Sequence, residues 1–210
     1  MSSARDDTDE LIRRALGGDE DALAALFDRH RERLRRMVRL RLDRRLTRRI
    51  DPSDILQEAY LALQKRLPEY AQDPALPFFL WLRPMTGQTL ADVHRFHLKA
   101  KRRDAGCEVS LRDGPVPGAS SASLTAHLLG KLTSASRAAI RAEVRVLVRE
   151  AIDRMDDIDR EVLSLRHFEH LSNDEAALVL GISPSAASNR YLRALKRLKP
   201  ILSSIPGLQP

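Results

Sequence analysis

The chain has 210 residues, 43% of them apolar, which is enough for packed cores and argues against wholesale disorder. Its net charge of +7 favours a polyanionic partner, and the 4% aromatic content beside abundant Ala, Leu and Arg favours helix over sheet. No apolar run approaches the ~20 residues needed to cross a bilayer, and the polar start MSSARDDTDEL has no signal segment, so a soluble cytoplasmic protein without membrane association is expected.

The first predicted helix runs from Asp9 to Leu16 and stops at Gly17 and Gly18. Asp19 opens a longer one, with Leu23, Leu26, Phe27, Leu34, Met37, Val38 and Leu42 at helical spacing. From Arg29 to Arg49 it is rich in arginine, which suits either a solvated face or a contact with nucleic acid or a polymerase. Asp51, Pro52 and Asp54 then combine an oxygen cap, a first-turn proline and an acid at the positive end of the helix dipole. Ile55, Leu56, Ala59, Leu63 and Leu67 line the inner face of this helix, which is expected to break at Pro68. Asp54, Gln57, Glu58 and Leu61 face outward.

After a connection from Tyr70 to Pro77, helix resumes at Phe78, and Pro84 and Gly87 are expected to bend or weaken it. Phe78, Phe79 and Trp81 precede a helix bearing Gln88, Arg95, His97, Lys99, Lys101, Arg102 and Arg103. Aromatic platforms beside cationic tracks hold unpaired bases, with each stacked base contributing ~1–3 kcal/mol. Burial in a core competes with that role and is expected for one or two of Phe78, Trp81 and Leu82.

Asp104 to about Ser123 is rich in Gly, Pro, Ser and Ala and reads as a linker. It carries Cys107, the single cysteine, which excludes an intramolecular disulfide and suits an unactivated loop thiol. A helix is expected from Ser134 to Met155, apolar at Ile140, Val144, Leu147, Val148 and Ile152, and another from Asp157 to Phe168. Asp156, Asp157 and Asp159 are expected to cap that second helix. The pairs His94/His97 and His167/His170 each share a helix face but lack the third and fourth ligands of a metal site. No nucleophile motif and no phosphate-binding glycine pattern occurs, so neither catalytic residues nor a cofactor are expected.

Leu171 to Leu198 reads as a helix, a glycine turn and a second helix. Ser172 with Glu175 forms a capping-box start, Gly181 supplies a positive φ at the end, and Ser183 with Pro184 opens the next helix. Ala187, Tyr191, Ala194, Leu195 and Leu198 share one side of that helix. Ser185, Asn189, Arg193 and Lys196 share the other, with Ser188, Arg190 and Arg197 on its flanks. A small, polar and basic face of this kind is what insertion into a DNA major groove requires.

Asp51-Pro-Ser-Asp-Ile-Leu-Gln-Glu-Ala-Tyr resembles the region 2.2 signature of extracytoplasmic-function (ECF) sigma factors of the sigma-70 family. Phe78 to Arg95, with Trp81-Leu82, Asp92 and Arg95, resembles their regions 2.3–2.4, and Ile152 to Leu198 resembles region 4. The segment LTSASRAAIRAE and the arginine-rich first domain are similar to members from planctomycetes. The resemblance implies an all-α protein of two small domains. They would be region 2 over 9–103, a flexible linker over 104–133, and region 4 with its helix-turn-helix over 134–202.

It further implies a role for each face. Asp54, Gln57, Glu58 and Leu61 would contact core RNA polymerase. Phe78, Trp81, Gln88, Asp92 and Arg95 would meet the −10 element of promoter DNA. Ser185, Ala186, Ser188, Asn189, Arg190, Leu192, Arg193 and Lys196 would meet the −35 element. An anti-sigma regulator is expected by analogy. Many relatives carry Asn where this chain has Gln88, so a polar contact of different reach is expected there; many also carry a basic residue where it has Ser188, which shifts the expected −35 readout toward Asn189 and Arg193. The alternative is a helix-turn-helix regulator that does not act as a sigma subunit. It leaves the Asp51 to Arg95 signature unexplained.

Overall fold

The computed structural model describes residues 2–99, 116–130 and 138–203, and every regular element among them is helical. The chain divides into two compact units, 1–117 and 118–210. It is an all-α protein of two helical units, as the composition suggests. Cys107, the basic residues Lys101, Arg102 and Arg103, and the expected helix start at Ser134 lie outside the described residues.

The first unit contains α1 (Ser2–Leu16), α2 (Glu20–Arg41), α3 (Pro52–Gln72) and α4 (Phe78–Lys99). Helix α1 begins well before the expected Asp9. The turn after it uses Gly18 at φ +91°. Asp19 then caps α2 by accepting from the Ala22 N–H at 2.9 Å, and the Arg14 guanidinium pairs with the same carboxylate at 2.7 Å. Leu26, Leu34, Met37, Val38, Ile55, Leu63, Leu82 and Leu90 are buried where α2, α3 and α4 pack together. At the start of α3, Asp51 accepts from the Ser53 N–H at 2.7 Å, and Asp54 accepts from the Asp51 N–H at 3.1 Å. The Ser53 N–H is the largest of the influences that hold the Asp51 carboxyl below its ordinary pKa.

The expected break at Pro68 does not occur. Helix α3 runs on to Gln72, because Leu67 and Tyr70 on either side are buried while Gln64 and Pro68 are exposed. The Gln64 carbonyl that Pro68 cannot satisfy therefore sits on the solvent side. The Tyr70 hydroxyl donates to the Leu76 carbonyl at 2.9 Å and ties down the segment that follows. Helix α4 runs through Pro84 and Gly87 as one element, with Leu82, Met85 and Leu90 in the core. Tertiary burial outweighs the local cost of proline here.

The second unit contains α5 (Ser121–Leu129), α6 (Ala138–Asp153), α7 (Asp157–Leu163), a π-helical turn (Ser164–Phe168), α8 (Asn173–Leu180) and α9 (Pro184–Ser203). Helix α5 occupies part of the segment expected as linker. Ser120 caps it by accepting from the Ser123 N–H at 3.1 Å, and Leu124 and Leu129 anchor it in the core against α6. Nine residues are too few to display a helical period in the sequence. After α7 the helix widens, and the Glu169 N–H reaches back to the Ser164 carbonyl at 3.0 Å. His170 then takes φ +57° before α8 begins.

Asp43 and His94 join the end of α2 to α4. The Asp43 backbone N–H donates to His94 Nε2 at 3.2 Å, which requires that nitrogen to be unprotonated. Burial pushes the imidazole below its ordinary value of 6.5, against the opposing pull of the Asp43 carboxylate. The unfolded chain then binds a proton that the folded chain refuses, so this site's contribution is present above 6.5 and lost as pH falls through the folded-state pKa. Urea midpoints measured at about pH 7.5 and about pH 5.5 are expected to fall further in the wild type than in His94→Gln. In the second unit, Ser172→Ala removes the α8 cap and is expected to destabilise that unit by about 1 kcal/mol in thermal melts.

Candidate nucleic-acid interface

Helices α8 and α9 form a tight helix-turn-helix. The Ser172 hydroxyl accepts from the Glu175 N–H at 3.1 Å, and the Glu175 carboxylate accepts from the Ser172 N–H at 2.8 Å, closing a reciprocal capping box. Gly181 adopts φ +63°, the left-handed cap its position predicts. The Ile182 N–H returns to the Ala177 carbonyl at 3.1 Å. Ser183 caps α9 by accepting from the Ala186 N–H at 3.2 Å, and Pro184 is the first residue of that helix. Asn173 Nδ2 donates to the Pro184 carbonyl at 2.8 Å, linking the two helix starts.

The faces of α9 divide as its periodicity requires. Ala187, Ala194 and Leu198 are buried. Ser185, Ser188, Asn189, Leu192, Arg193 and Lys196 are exposed, while Ala186 and Arg190 are half-buried. The eight side chains expected to read duplex DNA are therefore on or beside one accessible face. Leu192, at 51% exposure, offers an apolar surface among polar and cationic neighbours. Contact with a thymine methyl is one use for such a side chain.

Sequence reasoning missed Asp159. It does not cap α7, as expected, but lies within the helix with its side chain fully buried, accepting from Arg190 Nη1 at 2.8 Å. The signal was present: Asp159 precedes the buried Val162 and Leu163 by three and four residues, so it falls on their apolar stripe. Asp157 pairs with Arg160 at the helix start instead.

In the first unit, Gln88, Asp92 and Arg95 form one row along α4. The Gln88 amide donates to Asp92 Oδ1 at 3.2 Å, and the Arg95 guanidinium pairs with the same carboxylate oxygen. An open groove of about 560 Å³ between α3 and α4 adjoins this row. Glu58 and Leu61 line one wall, Asp92, Val93 and Phe96 the other, with Lys65 and Arg66 nearby. Asp54, Gln57, Glu58 and Leu61 are all exposed on α3, and Asp54 also serves its capping box. Phe96, at 75% exposure, went unnoticed in the sequence because a lone phenylalanine in a basic stretch carries no periodicity.

Phe78 lies in the first turn of α4, where helix is expected to resume; that turn forms as the Leu80 and Trp81 N–H groups bond the Pro77 carbonyl at 2.8 and 3.2 Å. Its ring is buried edge-on to Tyr70 at 5.2 Å between centroids, so it presents no face to a base. Trp81, one turn on, is half-buried against Tyr70 and beneath the Arg66 guanidinium. Among the described residues no group of three metal-ligating side chains converges, and no helix is long and apolar enough to cross a membrane.

Residues 145–198 match the family model for sigma-70, region 4, which spans α6 to α9. The chain is 27% identical to RNA polymerase sigma-H factor of Pseudomonas aeruginosa, over 92% of this chain and 94% of that one. It is 29% identical to the ECF RNA polymerase sigma factor SigD of Mycobacterium bovis, over 91% and 82%. Among solved structures it is similar to CnrH in complex with the cytosolic domain of CnrY, at a TM-score of 0.53 and 24% identity over 92% of this chain and 96% of that one, a likeness of fold. The region 4 match on the helix-turn-helix, with relatives that extend over both units, makes the chain similar to sigma factors of the sigma-70 family, and above all to its extracytoplasmic-function group.

Proposed function

We propose that the chain is a promoter-specificity subunit: it binds core RNA polymerase, directs initiation at chosen promoters and has no catalytic activity of its own. The observation that carries this is the small, polar and basic face of α9, presented by a firmly capped helix-turn-helix inside the region 4 match. In this reading the unit over 134–202 docks α9 in the −35 major groove, where Arg193 and Asn189 are the side chains suited to base edges. Ser185, Ala186 and Ser188 are small enough to let the helix backbone approach, and Arg190 and Lys196 face phosphates.

The unit over 9–103 serves the −10 element and the polymerase. Trp81, Gln88, Asp92 and Arg95 lie along α4 and supply one ring, one amide and two coupled charges for bases exposed by melting. Capturing such bases offsets the few kcal/mol of unstacking, so opening is favoured where the sequence fits. Phe78 supports that face from the core rather than by touching a base. The exposed row of Asp54, Gln57, Glu58 and Leu61 on α3 is the polymerase surface. The segment over 104–133 connects the two functions, the protein works in the cytoplasm, and an anti-sigma regulator masks one or both surfaces.

Purified core polymerase mixed with the chain and a promoter library is expected to initiate at a defined set of sequences. A chain that neither binds core nor supports initiation is instead a regulator of another type. Glu58→Lys, a change at an exposed site, is expected to weaken core association about tenfold or more while leaving duplex binding by the full chain unchanged. Arg193→Ala is expected to weaken binding to the selected −35 duplex by about 1–3 kcal/mol in anisotropy titrations.

A further inference from the structure

A buried carboxylate stands behind the exposed face of α9. Asp159, on α7, has no side-chain exposure. Its Oδ1 accepts from Arg190 Nη1 at 2.8 Å. Its Oδ2 is also buried and has no hydrogen-bond partner; the group facing it is Arg193 Nη1 at 3.7 Å. The remaining nearby cation is engaged elsewhere, since Arg160 pairs with Asp157 and reaches Ser121 Oγ at 3.5 Å. Removing a carboxylate from water is costly unless opposing charge and hydrogen bonds compensate it. Here that compensation comes from two arginines three residues apart on α9, which share one flank of the helix.

The two contacts are unequal. Arg190 is hydrogen-bonded and its side chain is 28% exposed, whereas Arg193 is held only by charge and is 48% exposed. A guanidinium held on one side keeps its other N–H groups for a ligand, and restricting it beforehand lowers the ordering cost of binding. We propose that Asp159 is the positioning residue of the DNA-reading helix: through Arg190 and Arg193 it sets the selectivity of duplex binding without reaching DNA. This rests on the reading of α9 as the duplex-reading helix and adds the residue on which its selectivity depends. Without the buried charge both guanidinium groups swing freely and settle on any phosphate, so sequence-independent binding persists while discrimination falls.

The test uses the full chain, a duplex enriched from a random library with the wild type, and a shuffled duplex of the same composition. Asp159→Asn keeps the shape and one acceptor oxygen but removes the charge. It is expected to reduce the preference for the enriched duplex about tenfold, with binding to the shuffled duplex equal or stronger. In an Arg190→Ala, Arg193→Ala background the same substitution is expected to change that preference less than about twofold, as coupled positions do. A preference that Asp159→Asn leaves intact, or reduces equally in the background without both arginines, overturns the positioning role and leaves the duplex-reading role standing. A wild type that enriches no duplex overturns both. If Asp159→Asn does not fold, the unmutated chain still decides: slow rotation about the Nε–Cζ bonds of Arg190 and Arg193 by NMR supports the proposal, and fast rotation at both overturns it.

Discussion

The second unit depends on small buried side chains on its last two helices. Ala176 and Ala177 on α8 and Ala187 and Ala194 on α9 are essentially without exposed surface. Side chains of one carbon let helix backbones approach closely, and any enlargement there overpacks the core at a cost of about 1–3 kcal/mol. Once α9 is seated on Ala187, Ala194 and Leu198, helical geometry leaves no choice about its other side. Ser185, Asn189 and Lys196 must face away, with Arg193 on the flank toward Asp159. The polar and basic face of α9 is therefore a consequence of packing by residues that have no chemistry of their own. Gly181 in the left-handed region supports the same arrangement by letting the chain turn within a few residues.

The first unit solves a different problem. Its long helices carry prolines at 68 and 84 and run on through both; in α3 the exposed Pro68 lies opposite the buried Leu67 and Tyr70. In α4 the row of Gln88, Asp92 and Arg95 follows Pro84 and Gly87 and is hydrogen-bonded within itself. Burial removes Phe78 from the surface and leaves Trp81 as the half-exposed ring of the pair. An exposed row of polar and apolar side chains on α3 then faces one wall of the groove, and the α4 row adjoins the other.

Charge is used in two ways. Many arginines lie in exposed pairs with acids one helical turn away, such as Arg36 with Glu32, and such pairs contribute little to stability. Asp159 is the contrast, a carboxylate withdrawn from water and faced by two side chains of α9. It couples the packing of α7 to the electrostatics of α9. A chain rich in surface arginine gains affinity for any nucleic acid, so a device that restrains particular guanidinium groups bears on selectivity rather than strength.

Much of this is legible in the residues themselves. The cap at Asp51, the capping box at Ser172, the turn at Gly181 and the two faces of α9 depend on contacts within a few positions, and local chemistry determines them. The resemblance to ECF sigma factors rests on such local strings and agrees with the relatives found. What the sequence could not decide involves partners distant along the chain. Whether Pro68 ends a helix depends on the burial of Leu67 and Tyr70, and whether Phe78 meets a base or a core depends on Tyr70 and His30. Helix α5 forms where composition alone suggests a linker, because Leu124 and Leu129 find a core. Asp159 reads as a cap until α9 is brought over it, 31 positions along the chain. Local rules determine where helices start, stop and turn their faces. Only the packed unit decides which polar groups are enclosed, since desolvation is set by neighbours the chain order does not place together.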